Sequence, residues 1–383
     1  MQKVLHIQIR PKDRDTADLR YFFDNPNDFK ARTLNMASVE KLIDEAEKRY
    51  YVHQILADLT GTGKALYNWL DGEDRFLTEP INACRGTETL ALAISTEGKL
   101  AHLPWEVLHD GNLFLAQRKN PVIVPVRWQD QNTGPGTPVN RPLQVLFMAC
   151  SPTDVSPPLD FEDEEARILR ATKKHPMSLT VEESGCLNEL RNLMDYYEPG
   201  YFDVFHLSGH ANITDDGPRF FTESDMGRVS PASAEGIMDA LPHTPRVIFL
   251  SGCRTGEAAR EGGVPSLAEE LLELGAKAVL GWGRSVLDTE ASDAAAELYG
   301  ALSKGYEMAR ALGETWQSLI KNNARDWHLL RLYVAGDVPA PLVTPLKTGG
   351  RAKVPRASLA TRLFGKEKVP TRENFIGRRR YVL

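Results

Sequence analysis

The chain has 383 residues, 42% of them hydrophobic and 26% charged, with a formal net charge of −6. That is enough chain for two or three domains and enough apolar side chain for a large core, which excludes a disordered, collagen-like or coiled-coil protein. No run approaches about eighteen uninterrupted apolar residues, so no membrane-spanning helix is expected.

From the amino end, Met1–His6 lacks an apolar core and a small-residue cleavage site, and is not expected to act as a secretory signal. Segments 37–50 and 51–70 carry helical spacing. Within the second, Gly61-Thr-Gly-Lys64 echoes a phosphate-binding loop, but Asp58 stands where the motif needs Gly and Ala65 where it needs Ser or Thr. Short apolar runs follow at 90–94, 103–105 and 121–126. Residues 1–128 therefore read as an α/β unit. The Gly/Pro/Asn-rich stretch 129–142 reads as a linker.

Beyond it the pattern is regular. Apolar, β-branched runs at 143–149, 179–181, 203–208, 246–251, 276–281 and 330–334 predict strands. Amphipathic segments at 160–174, 186–197, 232–241, 266–275 and 288–324 predict helices. Strands apolar on both faces, separated by helices, imply a mostly parallel sheet flanked by helices on both faces, and place a ligand site just beyond the strands' carboxyl ends. The acidic run 160–165 fits the first turn of a helix.

Residues 345–383 lose the pattern. They hold eleven basic and two acidic residues, so the rest of the chain carries −15. A body so acidic repels phosphates, and no direct nucleic-acid binding is expected of it. The basic tail reads as a solvated linker.

Four cysteines lie far apart with no C-x-x-C pair, which fits a reducing, cytoplasmic setting and gives no metal site; no cofactor is implied either. Two predicted strands end in residues that could do chemistry. The first runs into Gly209-His210-Ala211, the second into Gly252-Cys253-Arg254. On parallel neighbours those ends are side by side. An imidazole beside a thiol is the minimum for nucleophilic acyl transfer, and the N–H groups of Ala211 and Cys253 could face the oxyanion. His206 lies four residues before His210 and is expected to pack inside its strand. Carboxylates beside the thiol would select a Lys or Arg side chain. Asp154, in a Pro-rich loop, and Asp288, after Trp282, are the candidates, although Asp288 also suits a helix N-cap and Asp154 a turn.

The segments His206-Leu-Ser-Gly-His-Ala211 and Leu250-Ser-Gly-Cys-Arg-Thr-Gly256 resemble the CHAT family, caspase-like cysteine peptidases related to caspases and separase. So do Leu103-Pro-Trp-Glu-Val-Leu108, Ser266–Ala276 and Gly281-Trp-Gly-Arg-Ser-Val-Leu-Asp288, and the likeness spans roughly 50–336. The resemblance implies a caspase-like catalytic domain over 143–344 with His210 as general base and Cys253 as nucleophile, preceded by a smaller non-catalytic pseudo-protease lobe at 1–128. It implies cleavage of a protein substrate, an activity held back until a regulatory partner or sensor domain acts, and a place in bacterial antiviral defence or regulated cell death. Ala211 departs from the Gly that caspase-type sequences place after the catalytic His. The end of the chain, Asn374-Phe-Ile-Gly-Arg-Arg-Arg380, resembles the lead-in to a signal-transducing (STAND) NTPase domain.

Overall fold

The computed structural model describes residues 2–45, 58–131, 133–134, 136–175, 177–252, 266–284 and 286–345. The helical segments expected across 46–57 and the tail, including the NTPase lead-in, lie outside those residues.

Among the described residues one sheet of eleven strands organises the chain, in the order β3-β2-β1-β4-β5-β14-β13-β12-β8-β6-β7. The amino-terminal strands are β1 (Gln2–Pro11), β2 (Thr16–Phe22), β3 (Lys30–Asn35), β4 (Thr89–Ser95) and β5 (Val122–Gln129). The remaining six are β6 (Leu143–Ala149), β7 (Met177–Glu182), β8 (Val204–Ser208), β12 (Val247–Ser251), β13 (Ala278–Trp282) and β14 (Leu330–Ala335). Pairing is parallel except at β1–β2, β2–β3 and β13–β14. The two lobes expected from sequence share this sheet, since β14 pairs with β5.

Central strands such as β4, β8 and β12 are buried at every position because helices cover both faces. On one face α4 (Phe161–Ala171), α8 (Asp288–Ser303) and α9 (Met308–Lys321) enclose Val145, Phe147, Phe249, Leu280 and Trp282. On the other, α5 (Leu187–Met194), α6 (Ala234–Asp239) and α7 (Leu267–Glu273) enclose Leu146, Phe205, Leu207, Ile248 and Leu250. A third cluster lies under α1 (Ala37–Glu45), α2 (Leu59–Asp71) and α3 (Thr78–Ala83). Helix α9 spans the seam: Leu312 and Trp316 share a cluster with Val122 and Val124 of β5 and Leu332 of β14.

The Leu103–Leu108 segment also belongs to that seam. Glu106, 1% exposed, accepts from Arg127 of β5 at 2.9 and 3.0 Å and lies 3.7 Å from Arg331 of β14. Burial alone would raise its carboxyl; the two guanidinium groups overcome this and hold it below the usual range.

One sequence expectation changes, one holds, and one segment left without a predicted element takes shape. The predicted helix 288–324 is two helices, because the chain turns at Gly305, whose φ is +86°. The Gly61–Lys64 echo lies inside α2, which Asp58 caps through Gly61 N at 2.8 Å; Gly63 is there because a Cβ would meet the Val107 carbonyl at 1.9 Å. The segment after His210 forms a separate three-stranded sheet of β9 (His210–Thr214), β10 (Gly217–Glu223) and β11 (Val229–Ala232).

Candidate active site

Strands β8 and β12 are parallel neighbours in a register that sets Ser208 opposite Ser251. Their carboxyl ends are therefore side by side, as the sequence required. A last ladder bond, from Gly209 N to the Ser251 carbonyl at 3.1 Å, joins them. The flanking glycines are forced by packing. A Cβ on Gly209 would lie 2.8 Å from the Phe220 ring and 3.2 Å from Cys150, and one on Gly252 would lie 2.7 Å from the same ring.

Beyond these ends opens a cavity of 450 Å3, walled by His210 and Ala211, by Ser251 and Gly252, by the 155–161 loop, and by Trp282 and Asp288. His210 begins β9, opposite Phe221 of β10, and its Nε2 lies 2.7 Å from the Pro157 carbonyl. A carbonyl only accepts, so Nε2 carries the proton there and Nδ1 is the basic nitrogen of the neutral ring. Cys253, the nucleophile expected from sequence, lies outside the described residues, which on that side end at Gly252.

The other candidates separate. Asp288 is the first residue of α8, whose N-cap is Leu287, so it stands one position inside the expected N-cap and serves as an acid in the helix's first turn. Its carboxyl faces the cavity, where desolvation raises its pKa, His210 counteracts this and Asp160 adds to it. Trp282, fully buried at the end of β13, forms part of the wall. Asp154 is not among the cavity's residues. Its Oδ1 accepts from Val229 N at 2.8 Å and so ties the Pro-rich loop to the start of β11, a long-range bond and not a local turn.

His206 packs inside β8, as expected. It is 0% exposed, stacked on Phe249 at 4.5 Å and edge-on to Phe147, and burial lowers its pKa to about 3. It is a neutral core ring. Cys150 is sealed beneath the site, where burial first, then the charges of Glu223 and Glu182, push its thiol well above the ordinary value. That makes it inert as a nucleophile.

Two groups escaped the sequence. One is the Pro157 carbonyl, a backbone atom that no side-chain pattern announces. The other is Glu164 of α4, which lines the cavity while only 4% exposed. It accepts from Ser208 Oγ at 2.6 Å and Ser251 Oγ at 3.2 Å, and its Oε1 lies 3.4 Å from His206 Nε2. Burial raises its pKa to about 7 against the two hydroxyl bonds, which favour the anion, with Asp288 adding to the rise. Its spacing from Phe161 and Ile168 puts it on the inward face of α4, the signal that could have found it.

The CHAT domain family profile matches residues 60–360, and this chain belongs to the CHAT domain family. Similar solved structures include the complex of Porphyromonas gingivalis RgpB pro- and mature domains, at 10% identity and TM-score 0.44 over 81% of this chain and 78% of that one. The Saccharomyces cerevisiae separase–securin complex matches at 13% identity and TM-score 0.44, over 87% of this chain and 30% of that one. The Drosophila initiator caspase Dronc matches at 13% identity and TM-score 0.32, over 50% of this chain and 83% of that one. No match was found among curated protein sequences.

Proposed function

We propose that this chain is a cysteine endopeptidase in which His210 is the general base and Cys253 the nucleophile. The observation that carries the reading is the juxtaposition at one cavity of His210, its Nε2 held on the Pro157 carbonyl, with Ser251-Gly252, the residues that lead directly into Cys253. Nδ1 of His210 takes the thiol proton, the thiolate attacks the scissile carbonyl, and the same nitrogen returns the proton to the leaving amine. The N–H groups of Ala211 and Cys253 receive the oxyanion. Water then hydrolyses the acyl-enzyme. Asp288 and Trp282 wall the cavity that receives the side chain at the cleavage point, and the carboxylate selects Lys or Arg there. Asp154 contributes only by holding its loop on β11. Family membership supports a protein substrate and control by a regulatory partner.

A peptidyl acyloxymethyl ketone tests the reading. Wild type is expected to be labelled, Cys253→Ala and His210→Ala not; equal labelling of all three leaves a silent interaction module. With the same probe series, Asp288→Ala is expected to lose the preference for a basic side chain by roughly tenfold, in the range of a lost charge-assisted contact, while Asp154→Ala keeps it. Preference unchanged in Asp288→Ala would remove Asp288 from the pocket.

A further inference from the structure

Glu164 has no part in the chemistry above, yet it sits at the one place where both reactive loops begin. Ser208 and Ser251 are register partners, each the last residue of its strand, and each two residues before His210 and Cys253 respectively. Both hydroxyls donate to the same carboxylate, one to each oxygen. The ladder goes one bond further, Gly209 N to Ser251 O, and the chain then turns away into β9. Helix α4 thus reaches across and ties the two strands together at their last rung.

Packing alone does not call for a carboxylate there. Glu164 lies beside His206 and Tyr299, rings packed with Phe147 and Phe249, and shares a cavity wall with Trp282. In such surroundings an apolar side chain of similar volume would be less costly than a charge without a cationic partner. We propose that Glu164 is a positioning residue: its carboxylate clasps the ends of β8 and β12, and so fixes the separation of the loops that carry His210 and Cys253. This rests on the peptidase reading.

The clasp depends on ionisation. A carboxylate accepts from both hydroxyls; a carboxylic acid carries its own O–H, so one serine must turn round and accept. The groups facing Glu164 are His206 from β8, held neutral, and Asp288 and Tyr299 from α8. None supplies a positive charge, and among the described residues no Lys or Arg forms an ion pair with Glu164. Its ionisation consequently falls near neutral pH, and the clasp is complete above that point.

Glu164→Gln imitates the protonated acid at every pH, with one accepting oxygen and one donating nitrogen. The experiment measures the rate of Cys253 alkylation by the acyloxymethyl ketone in wild type and Glu164→Gln between pH 5.5 and 8.5, with melting temperatures of both at each pH. The ratio of wild-type to variant rates is expected to be near one at the acid end and to rise by about three- to tenfold at the alkaline end, the range of one well-made hydrogen bond. The variant should melt no lower than wild type at pH 8. Dividing one rate by the other removes the thiol's own titration, which both proteins share. A labelled wild type with a ratio that stays flat overturns the clasp alone. Silence of both proteins at every pH overturns the peptidase reading, and the clasp with it.

Discussion

Replacing Glu164 by Gln should make this protein more stable in mild alkali. The carboxyl is 4% exposed, and its pKa rises from 4.5 to about 7 on folding. Because the folded state holds the proton more tightly, it binds more protons than the unfolded chain between those two values, and stability falls as pH rises through that window. Each unit is worth about 1.4 kcal/mol, so the full loss is ~3 kcal/mol, complete a little above pH 7. The amide cannot ionise and escapes the loss. His206 works in the opposite sense: its pKa falls to about 3 on folding, so its contribution is present above the unfolded value and lost as pH drops. Both proteins share that term, and it cancels in the difference. Urea denaturation at pH 5 and pH 8 should therefore show a variant advantage that grows by about 2–3 kcal/mol between the two. An advantage independent of pH, or a variant less stable than wild type at pH 8, would refute the assignment of a desolvated, ionising acid to this place. Gained stability alongside slowed alkylation would also identify the buried charge as kept for the site and not for the fold.

Two further perturbations probe what surrounds the site. Glu106→Gln leaves Arg127 and Arg331 buried without their shared anion, and is expected to cost about 3–5 kcal/mol in urea denaturation. Glu106 is held below the ordinary carboxylate range, so its contribution is lost as pH falls, and the gap between wild type and variant should narrow in acid; a constant gap would contradict the ion-pair reading. Gly252→Ala brings a methyl group to 2.7 Å from the Phe220 ring and 3.1 Å from the Gly209 carbonyl. It should cost about 1–3 kcal/mol, with part returned by Phe220→Leu in the same chain; no cost would mean that the ring yields freely.

Much of this was legible in the sequence because buried parallel strands have little freedom in composition. Runs such as Val247–Ser251 can be little else when helices flank them, and their register then brings His210 to the mouth of β12 without any further assumption. The β9–β11 sheet was hidden because its strands are short and half-exposed, with Asn212, Asp215 and Asp216 reading as loop. The amino-terminal hairpin was missed despite a signal: Leu5, Ile7 and Ile9 alternate with His6, Gln8 and Arg10, the period of a strand buried on one face. Glu164 was obscured by its acidic neighbours, which do what such residues usually do at a helix start; only Glu164 turns inward. Asp288 could not be resolved between cap and wall, since one residue's shift in the helix start decides which.

The union of β5 with β14 has a consequence for how copies of this chain could associate. An open strand beside β14 would be a natural place for two molecules to join their sheets back to back. Here the chain's own first five strands already occupy that position, and Arg127, Glu106 and Arg331 rivet the join. The free rims of the described sheet are β3 and β7, at opposite extremes. A strand added to this sheet has to enter through one of those, and from β7 its effect reaches His210 across only β6 and β8.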